Sequence, residues 1–276
     1  MKSIILADGR MLDLSTPLVM GIINCTPDSF AVHCSTLDQA MAMARRMIAE
    51  GADILDIGGE SSRPGSTSIP TDIELARVIP VIAGIRAFSE IPVSIDTCKA
   101  AVAEKALTAG ANIINDITAL AGDPAMADVV AGRNCPVVLM HIKGTPQTMQ
   151  SDPRYDDVVG EVSEYFEQRL TLAQSRGVAA DNIILDVGIG FGKRTIDNLM
   201  LVKYLRAFAR FGRPLLIGLS RKRFIGDLTG KDAAERLDGS LAAAALAVSA
   251  GADIIRTHDV GPTKQAVAVA AAVREA

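Results

Sequence analysis

Eight short apolar runs, each followed by a stretch of helical period, succeed one another along the chain without a break. The runs lie at Val19–Asn24, Ile54–Gly58, Val93–Asp96, Ile113–Asp116, Val137–His141, Ile183–Val187, Leu215–Leu219 and Ile254–Thr257. They are rich in Val, Ile and Leu, as strands buried on both faces must be. Helical patterns follow, as at Thr36–Glu50, Ile73–Ala87, Lys99–Ala109 and Asp156–Arg176. A β-then-α unit repeated this way builds a parallel sheet, either an open doubly wound one or a closed barrel. Eight units fill the 276 residues and leave none for a second domain. The expectation is therefore an α/β chain folded as one (β/α)8, or TIM, barrel domain over residues 1–276. A short N-terminal hairpin, pairing Ser3–Leu6 with Met11–Leu14 through Asp8-Gly9, is expected to cap the barrel base.

Composition agrees where it bears on the question. Aromatic residues are 4% of the chain and Trp is absent, so the core must come from Ala, Val, Ile, Leu and Met. The net charge of -4 argues against nucleic acid as a partner, which calls for a basic stripe. Cys25, Cys34, Cys98 and Cys135 form no C-x-x-C pair and have only three His beside them, which argues against zinc. They read as reduced packing thiols of a cytoplasmic protein. Met1–Gly9 is too short and polar for a signal peptide, and no apolar run reaches the roughly 18 residues a membrane span needs. Alanine-rich Leu241–Ala250 reads as buried helix, and Gly144–Asp152, the longest polar connection, as a candidate mobile loop.

In a (β/α)8 barrel, polar residues at the C-terminal strand ends read as catalytic. Nearly every run here ends in one: Asn24, Asp96, Asn115-Asp116, Asp186, Ser220-Arg221-Lys222 and Arg256-Thr257-His258-Asp259 among them. Asp96, Asn115, Asp186 and Lys222 combine acceptors, an amide and a cation. That set suits a flat heterocycle, whose amino-imine edge a carboxylate grips with two hydrogen bonds. Asn24, Ser62, Arg63, Arg256 and His258 suit a phosphate or diphosphate, with Mg²⁺ held partly through Asn24. Plainer readings stand beside these: a structural ion pair between Asp96 and Lys222, a structural role for His141, and an exposed loop position for His33. The run Gly188-Ile189-Gly190-Phe191-Gly192-Lys193 implies a tight loop or close backbone approach. It is neither a Walker A loop nor a dinucleotide fingerprint, because Lys193 stands at the third glycine position.

Met20-Gly21-Ile22-Ile23-Asn24-Cys25-Thr26-Pro27-Asp28-Ser29-Phe30, Asp56-Ile57-Gly58-Gly59-Glu60-Ser61-Ser62-Arg63-Pro64-Gly65, Ser94-Ile95-Asp96-Thr97, Ile114-Asn115-Asp116, Leu139-Met140-His141, Leu185-Asp186, Ser220-Arg221-Lys222 and Arg256-Thr257-His258-Asp259 follow one another in this order. Together they resemble the dihydropteroate synthase family over nearly the whole chain. The resemblance implies that a dihydropterin-methyl diphosphate condenses with 4-aminobenzoate, the diphosphate leaving first and the amine attacking a resonance-stabilised cation. It implies that Asp96, Asn115, Met140, Asp186 and Lys222 hold the pterin. Asn24 with Mg²⁺, Ser62, Arg63, Arg256 and His258 would hold the diphosphate. Phe30, Ser62, Pro64, Phe191 and Ser220 would border the aminobenzoate, with Ser220 beginning a helix whose dipole faces the carboxylate. Arg63, Lys222 and Asp96 would be the catalytic groups, and the chain a homodimer.

Two departures accompany the resemblance. Ala31-Val32-His33-Cys34 stands where the family has a Ser-Asp-Gly-Gly run, in a shorter loop, and Val187 stands where Asp-Pro-Gly is usual. The first departure motivates one alternative, a non-catalytic pterin-binding paralogue. A pterin-dependent methyltransferase, which shares the barrel and a similar pocket, is the other.

Overall fold

The computed structural model describes residues 3–26 and 36–276. Strands β1 (Ser3–Ile5) and β2 (Met11–Asp13) form an antiparallel hairpin, with Ile4 opposite Leu12. Eight parallel strands follow: β3 (Leu18–Asn24), β4 (Ile54–Gly58), β5 (Val93–Asp96), β6 (Ile113–Asp116), β7 (Val137–Met140), β8 (Ile183–Asp186), β9 (Leu215–Gly218) and β10 (Ile254–Thr257). They pair in chain order, and β10 closes on β3 with Arg256 beside Met20. Closure decides for the barrel over the open sheet.

The helices among the described residues are α1 (Leu37–Ala49), α2 (Thr71–Arg86), α3 (Ala100–Thr108), α4 (Met126–Arg133), α5 (Val158–Ser175), α6 (Thr195–Lys203), α7 (Arg223–Thr229), α8 (Leu237–Ser249) and α9 (Val260–Glu275). None is long and apolar enough to cross a membrane. Their ends follow local chemistry. The Thr36 hydroxyl accepts from Gln39 N at 3.3 Å and starts α1, whose buried residues Ala40, Met43, Ala44 and Met47 share one face. The left-handed Asn134, at φ 47°, ends α4.

Successive strand side chains point to opposite faces. Val19, Ile23, Leu55, Ile57, Ile95, Ile114, Leu139, Leu185, Ile217 and Ile255 pack outward in the cluster shared with the helices. Leu18, Met20, Ile54, Ile113, Val138, Ile184, Leu216 and Ile254 face inward and form a second cluster with Ile4, Leu6, Leu12 and Leu14. The hairpin thus plugs the barrel base, as the sequence suggests. Two residues further along each strand, still inward, stand Ile22, Asp56, Asp96, Asn115, Met140, Asp186, Gly218 and Arg256. A floor that is apolar except for buried Ser94 therefore lies beneath a strand-end tier that is polar apart from Ile22, Met140 and Gly218.

The connection 144–152, expected as a mobile loop, is tied on two sides. Gly65 N donates to Pro146 O at 2.9 Å and Gln150 Nε2 to Gly190 O at 3.1 Å, while Met149 is buried.

The plug makes a paired test. Ile4 is 1% exposed and Ile5, beside it, 46%. Ile4→Ala is expected to lower unfolding stability by about 2–5 kcal/mol in urea titrations, and Ile5→Ala by about 0.5 kcal/mol or less.

Candidate active site

A cavity of about 690 Å³ opens at the C-terminal ends of the barrel strands. Asn24, Ser62, Arg63, Pro64, Asp96, Phe191, Ser220, Lys222, Arg256 and His258 line it. Asn115, Met140 and Asp186 lie at the same strand ends, buried, in the inward tier. Thirteen residues singled out in the sequence thus converge on one region. The fourteenth, Phe30, lies outside the described residues, as do His33 and the rest of the altered first loop. A larger groove of about 970 Å³ runs between α8 and α9, but no ionisable side chain lines it.

At the centre Arg256 joins two carboxylates. Its Nε donates to Asp56 Oδ2 at 2.6 Å and its Nη2 to Asp96 Oδ2 at 2.8 Å. Asn115 Nδ2 donates to the same Asp56 oxygen at 3.1 Å. Asp56 has no exposed surface, and its Oδ1 has no hydrogen-bond partner among the described residues. A structural Asp96–Lys222 pair is therefore not what forms; Asp96 pairs with Arg256. Arg256, grouped in the sequence with the diphosphate set, here bridges carboxylates. Those two bonds use two of its five N–H groups, so others can meet an anion. Burial pushes Asp96 up to about 7, with Arg256 opposing. Burial lowers Lys222 to about 8, helped by the Arg256 charge and opposed by Asp186 and Asp96. The Lys222 ammonium lies 4.4 Å from the Phe191 ring centre. Asp186 is likewise raised by burial, and its Oδ1 accepts from Gly188 N at 2.8 Å.

Ser220 corrects one expectation. The helix begins at Arg223, not at Ser220, and is seven residues long. Arg221 interrupts the path at φ 55°, a left-handed conformation that costs a non-glycine residue about 1 kcal/mol or more. Its anchors hold it there: the guanidinium donates to Asp259 at 2.9 and 2.7 Å, and its N donates to Ser240 Oγ at 2.8 Å. The helix-dipole argument for Ser220 therefore falls. Ser220 instead meets His258, with Oγ 3.0 Å from Nδ1 and accepting from His258 N at 3.2 Å. Ser220 and the imidazole therefore share a hydrogen bond whose direction follows the ring tautomer. Burial, with Arg256 beside it, lowers His258 to about 3, so the ring is neutral.

Other strand-end polar groups build loops. Asp116 faces outward, and its carboxylate accepts from Thr118 N, Thr118 Oγ1 and Leu120 N at 2.7–2.8 Å, supporting the left-handed Ala119 and Leu120. Glu60, at the start of the Ser61–Gly65 loop, accepts from Lys99, Ser68 Oγ and Ile69 N. His141 is buried against Lys193, the structural role its position suggested. Cys25, Cys98 and Cys135 are unbridged, and burial raises the Cys98 and Cys135 thiols, so packing is their role. No group of three or more His, Cys, Asp or Glu among the described residues could hold a metal by itself. Asp56 was missed as a site residue although it stood in a motif. The signal was its parity with Ile54 and Gly58, which turns it inward.

His141 gives a pH test. Burial, then the Lys193 charge, lowers it to about 2 from an ordinary 6.5. The unfolded chain takes up this proton first, so the stability it supplies is complete above pH 6.5 and is lost as pH falls toward 2. The slope is about 1.4 kcal/mol per pH unit. Asp96, raised by burial, works the other way in part of this window. Urea midpoints of wild type and His141→Asn at pH 7, 6 and 5 isolate the histidine: the variant should lose stability less steeply.

Comparison with known proteins agrees with this geometry. The pterin-binding enzyme family matches residues 20–258. Dihydropteroate synthase of Escherichia coli (strain K12) is 45% identical over 273 residues, 98% of this chain and 96% of that one. The Yersinia pestis dihydropteroate synthase solved with a sulfonamide drug complex superposes with a TM-score of 0.94 at 41% identity, covering 97% of this chain and 98% of that one. The Xanthomonas albilineans dihydropteroate synthase solved with 4-aminobenzoic acid gives 0.92 at 44% identity, covering 100% and 99%. Sequence and fold agree over essentially the full length, and the chain belongs to the pterin-binding enzymes and, within them, to the dihydropteroate synthase family.

Proposed function

We propose that the protein is a dihydropteroate synthase, a transferase of folate biosynthesis. It joins 7,8-dihydropterin-6-ylmethyl diphosphate to 4-aminobenzoate and releases 7,8-dihydropteroate and diphosphate. The observation that carries this reading is the meeting at one cavity of the inward tier, with carboxylates at Asp96 and Asp186 and an amide at Asn115, and the Lys222 ammonium and guanidiniums on the cavity wall.

In this reading Asp186, Asn115, Asp96, Met140 and Lys222 hold the pterin. Arg63, Ser62, Arg256 and His258 hold the diphosphate. The bond between the methylene carbon and the diphosphate oxygen breaks, and the rim donors stabilise the charge gathering on that oxygen. Asp96 and Asp186 offset the positive charge left on the pterin. The amine nitrogen of 4-aminobenzoate, held between Phe191, Pro64, Ser62 and Ser220, forms the new bond and then loses a proton. Fixing both partners removes much of the entropic barrier. Arg63, Lys222 and Asp96 are the catalytic groups of this reading. By the family resemblance Phe30, outside the described residues, would also border the amine.

Mg²⁺ fits the donor set as a partner of the substrate. It keeps several waters and binds through few protein oxygens together with phosphates. The Asn24 amide oxygen on the cavity wall, 3.7 Å from the place a Cβ on Gly58 would take, is such a single donor. When bound, the ion offsets diphosphate charge. A cytoplasmic location is consistent with the unbridged thiols. A homodimer is supported by the face of α8 and α9, where Leu246, Val269 and Val273 are 63%, 67% and 70% exposed beside the uncharged groove.

Incubation with both substrates and Mg²⁺ should yield dihydropteroate and diphosphate in equal amounts. Pterin binding without product would favour the non-catalytic paralogue, and methyl transfer from a methylfolate to a corrinoid protein the methyltransferase. Asp186→Asn should weaken binding of the pterin diphosphate roughly 10- to 100-fold by calorimetry, the loss of about 1.5–3 kcal/mol from a charged hydrogen bond. Sedimentation equilibrium should give a dimer, and Leu246→Glu should shift it to monomer; a monomeric wild type would remove that part of the reading.

A further inference from the structure

We propose that Lys193 is a positioning residue for the amine half of the reaction: its buried ammonium shapes the 188–192 loop and thereby sets Phe191 against 4-aminobenzoate. This rests on the synthase reading above.

Lys193 is 3% exposed, although it stands beside the cavity. Its Nζ lies 2.9 Å from His141 Nδ1, 2.9 Å from Gly188 O and 3.0 Å from Phe191 O. His141 O, at 3.3 Å, is a fourth and longer contact; the three shorter ones match the three N–H groups of an ammonium. His141 is neutral, so its Nδ1 can accept. Burial drives the Lys193 ammonium down, to about 7, against the attraction of Asp186, and the ring of acceptors is what keeps a cation tolerable there.

The loop is wound around this nitrogen. Gly188, Gly190 and Gly192 take φ values of 67°, 81° and 63°, and a Cβ on Gly188 would fall 1.9 Å from His141 O. The chain must therefore be glycine there to lie against the end of β7. Gly188 and Phe191 turn their carbonyls to Lys193. The other two glycine carbonyls have separate donors: Gln150 Nε2 to Gly190 O at 3.1 Å and Tyr155 OH to Gly192 O at 2.7 Å. Gly190 N donates to Asn198 Oδ1 at 2.8 Å.

This arrangement reaches the cavity through Phe191. The backbone oxygen of Phe191 is on Lys193, and its ring is under the Lys222 ammonium. A Cβ on Gly190 would lie 3.3 Å from Lys222 Cδ. Losing the Lys193 ammonium leaves Phe191 O without that donor, while Gly188 O keeps Phe191 N at 3.1 Å, so the loop must turn the Phe191 carbonyl elsewhere and carry the ring with it. The backbones of Asp96, Asn115, Met140 and Asp186 are held by β-sheet pairing, and the loop meets the pterin groups only where Gly188 N donates to Asp186 and Phe191 lies under Lys222, so the amine side is expected to move more than the pterin side.

The test separates a positioning role from a structural one by steady-state kinetics with each substrate varied. Lys193→Met should raise the KM for 4-aminobenzoate about 10-fold or more, while the KM for the pterin diphosphate changes by less than about threefold. His141→Leu should move the amine KM in the same direction. His141→Asn, whose amide oxygen replaces Nδ1 as acceptor, should stay near wild type. The histidine pair carries the test if Lys193→Met does not fold. Lower kcat with both KM values unchanged, or equal KM values for His141→Leu and His141→Asn, would overturn the role. A wild-type enzyme that makes no dihydropteroate removes the synthase reading itself; turnover by wild type with unmoved amine KM in the variants removes this role alone.

Discussion

The two-residue alternation of a parallel barrel strand governs this molecule. One face of every strand meets the helices and the other meets the lumen, so inward residues recur at every second position. In the lower tier these are apolar but for Ser94, and are sealed by Ile4, Leu6, Leu12 and Leu14 of the hairpin. In the upper tier most are polar, at or just beneath the cavity. The plug keeps water from entering below, and charges set directly above it interact far more strongly than they would in solvent.

That environment explains the central ion network. Asp56 has no exposed surface, and Arg256 and Asn115 supply the hydrogen bonds its buried carboxylate needs. Arg256 then reaches Asp96 with a second donor, so the carboxylates are compensated before any ligand arrives. The same low polarity draws Asp96 upward and Lys222 downward toward neutrality. Groups held near their tipping point in this way are suited to accept a partner of the opposite character.

Around this tier the loops keep their shapes through buried polar anchors. Arg221 holds a left-handed turn because Asp259 and Ser240 grip it from two sides. Asp116 performs the same service for Ala119 and Leu120, and Lys193 for the glycine loop. For Asp116 and Lys193 the partners are mostly backbone atoms, a pattern that fixes a path rather than binding a solute.

Much was legible in the sequence because strand period and strand-end polarity are local. Eight apolar runs, the hairpin at Asp8-Gly9 and the strand-end residues from Asn24 to His258 can be read within a few positions of chain. Parity could even separate inward Asn115 from outward Asp116. What the tertiary structure alone decided is who meets whom. Arg256 and Asp56 lie 200 residues apart, and Lys193 and His141 lie 52 apart. Whether Asp96 would pair with Lys222 or Arg256, and whether Ser220 would start a helix or face His258, depended on contacts of this kind. Periodicity is set by the backbone of one segment, whereas pairing across the lumen exists only once β10 has closed on β3.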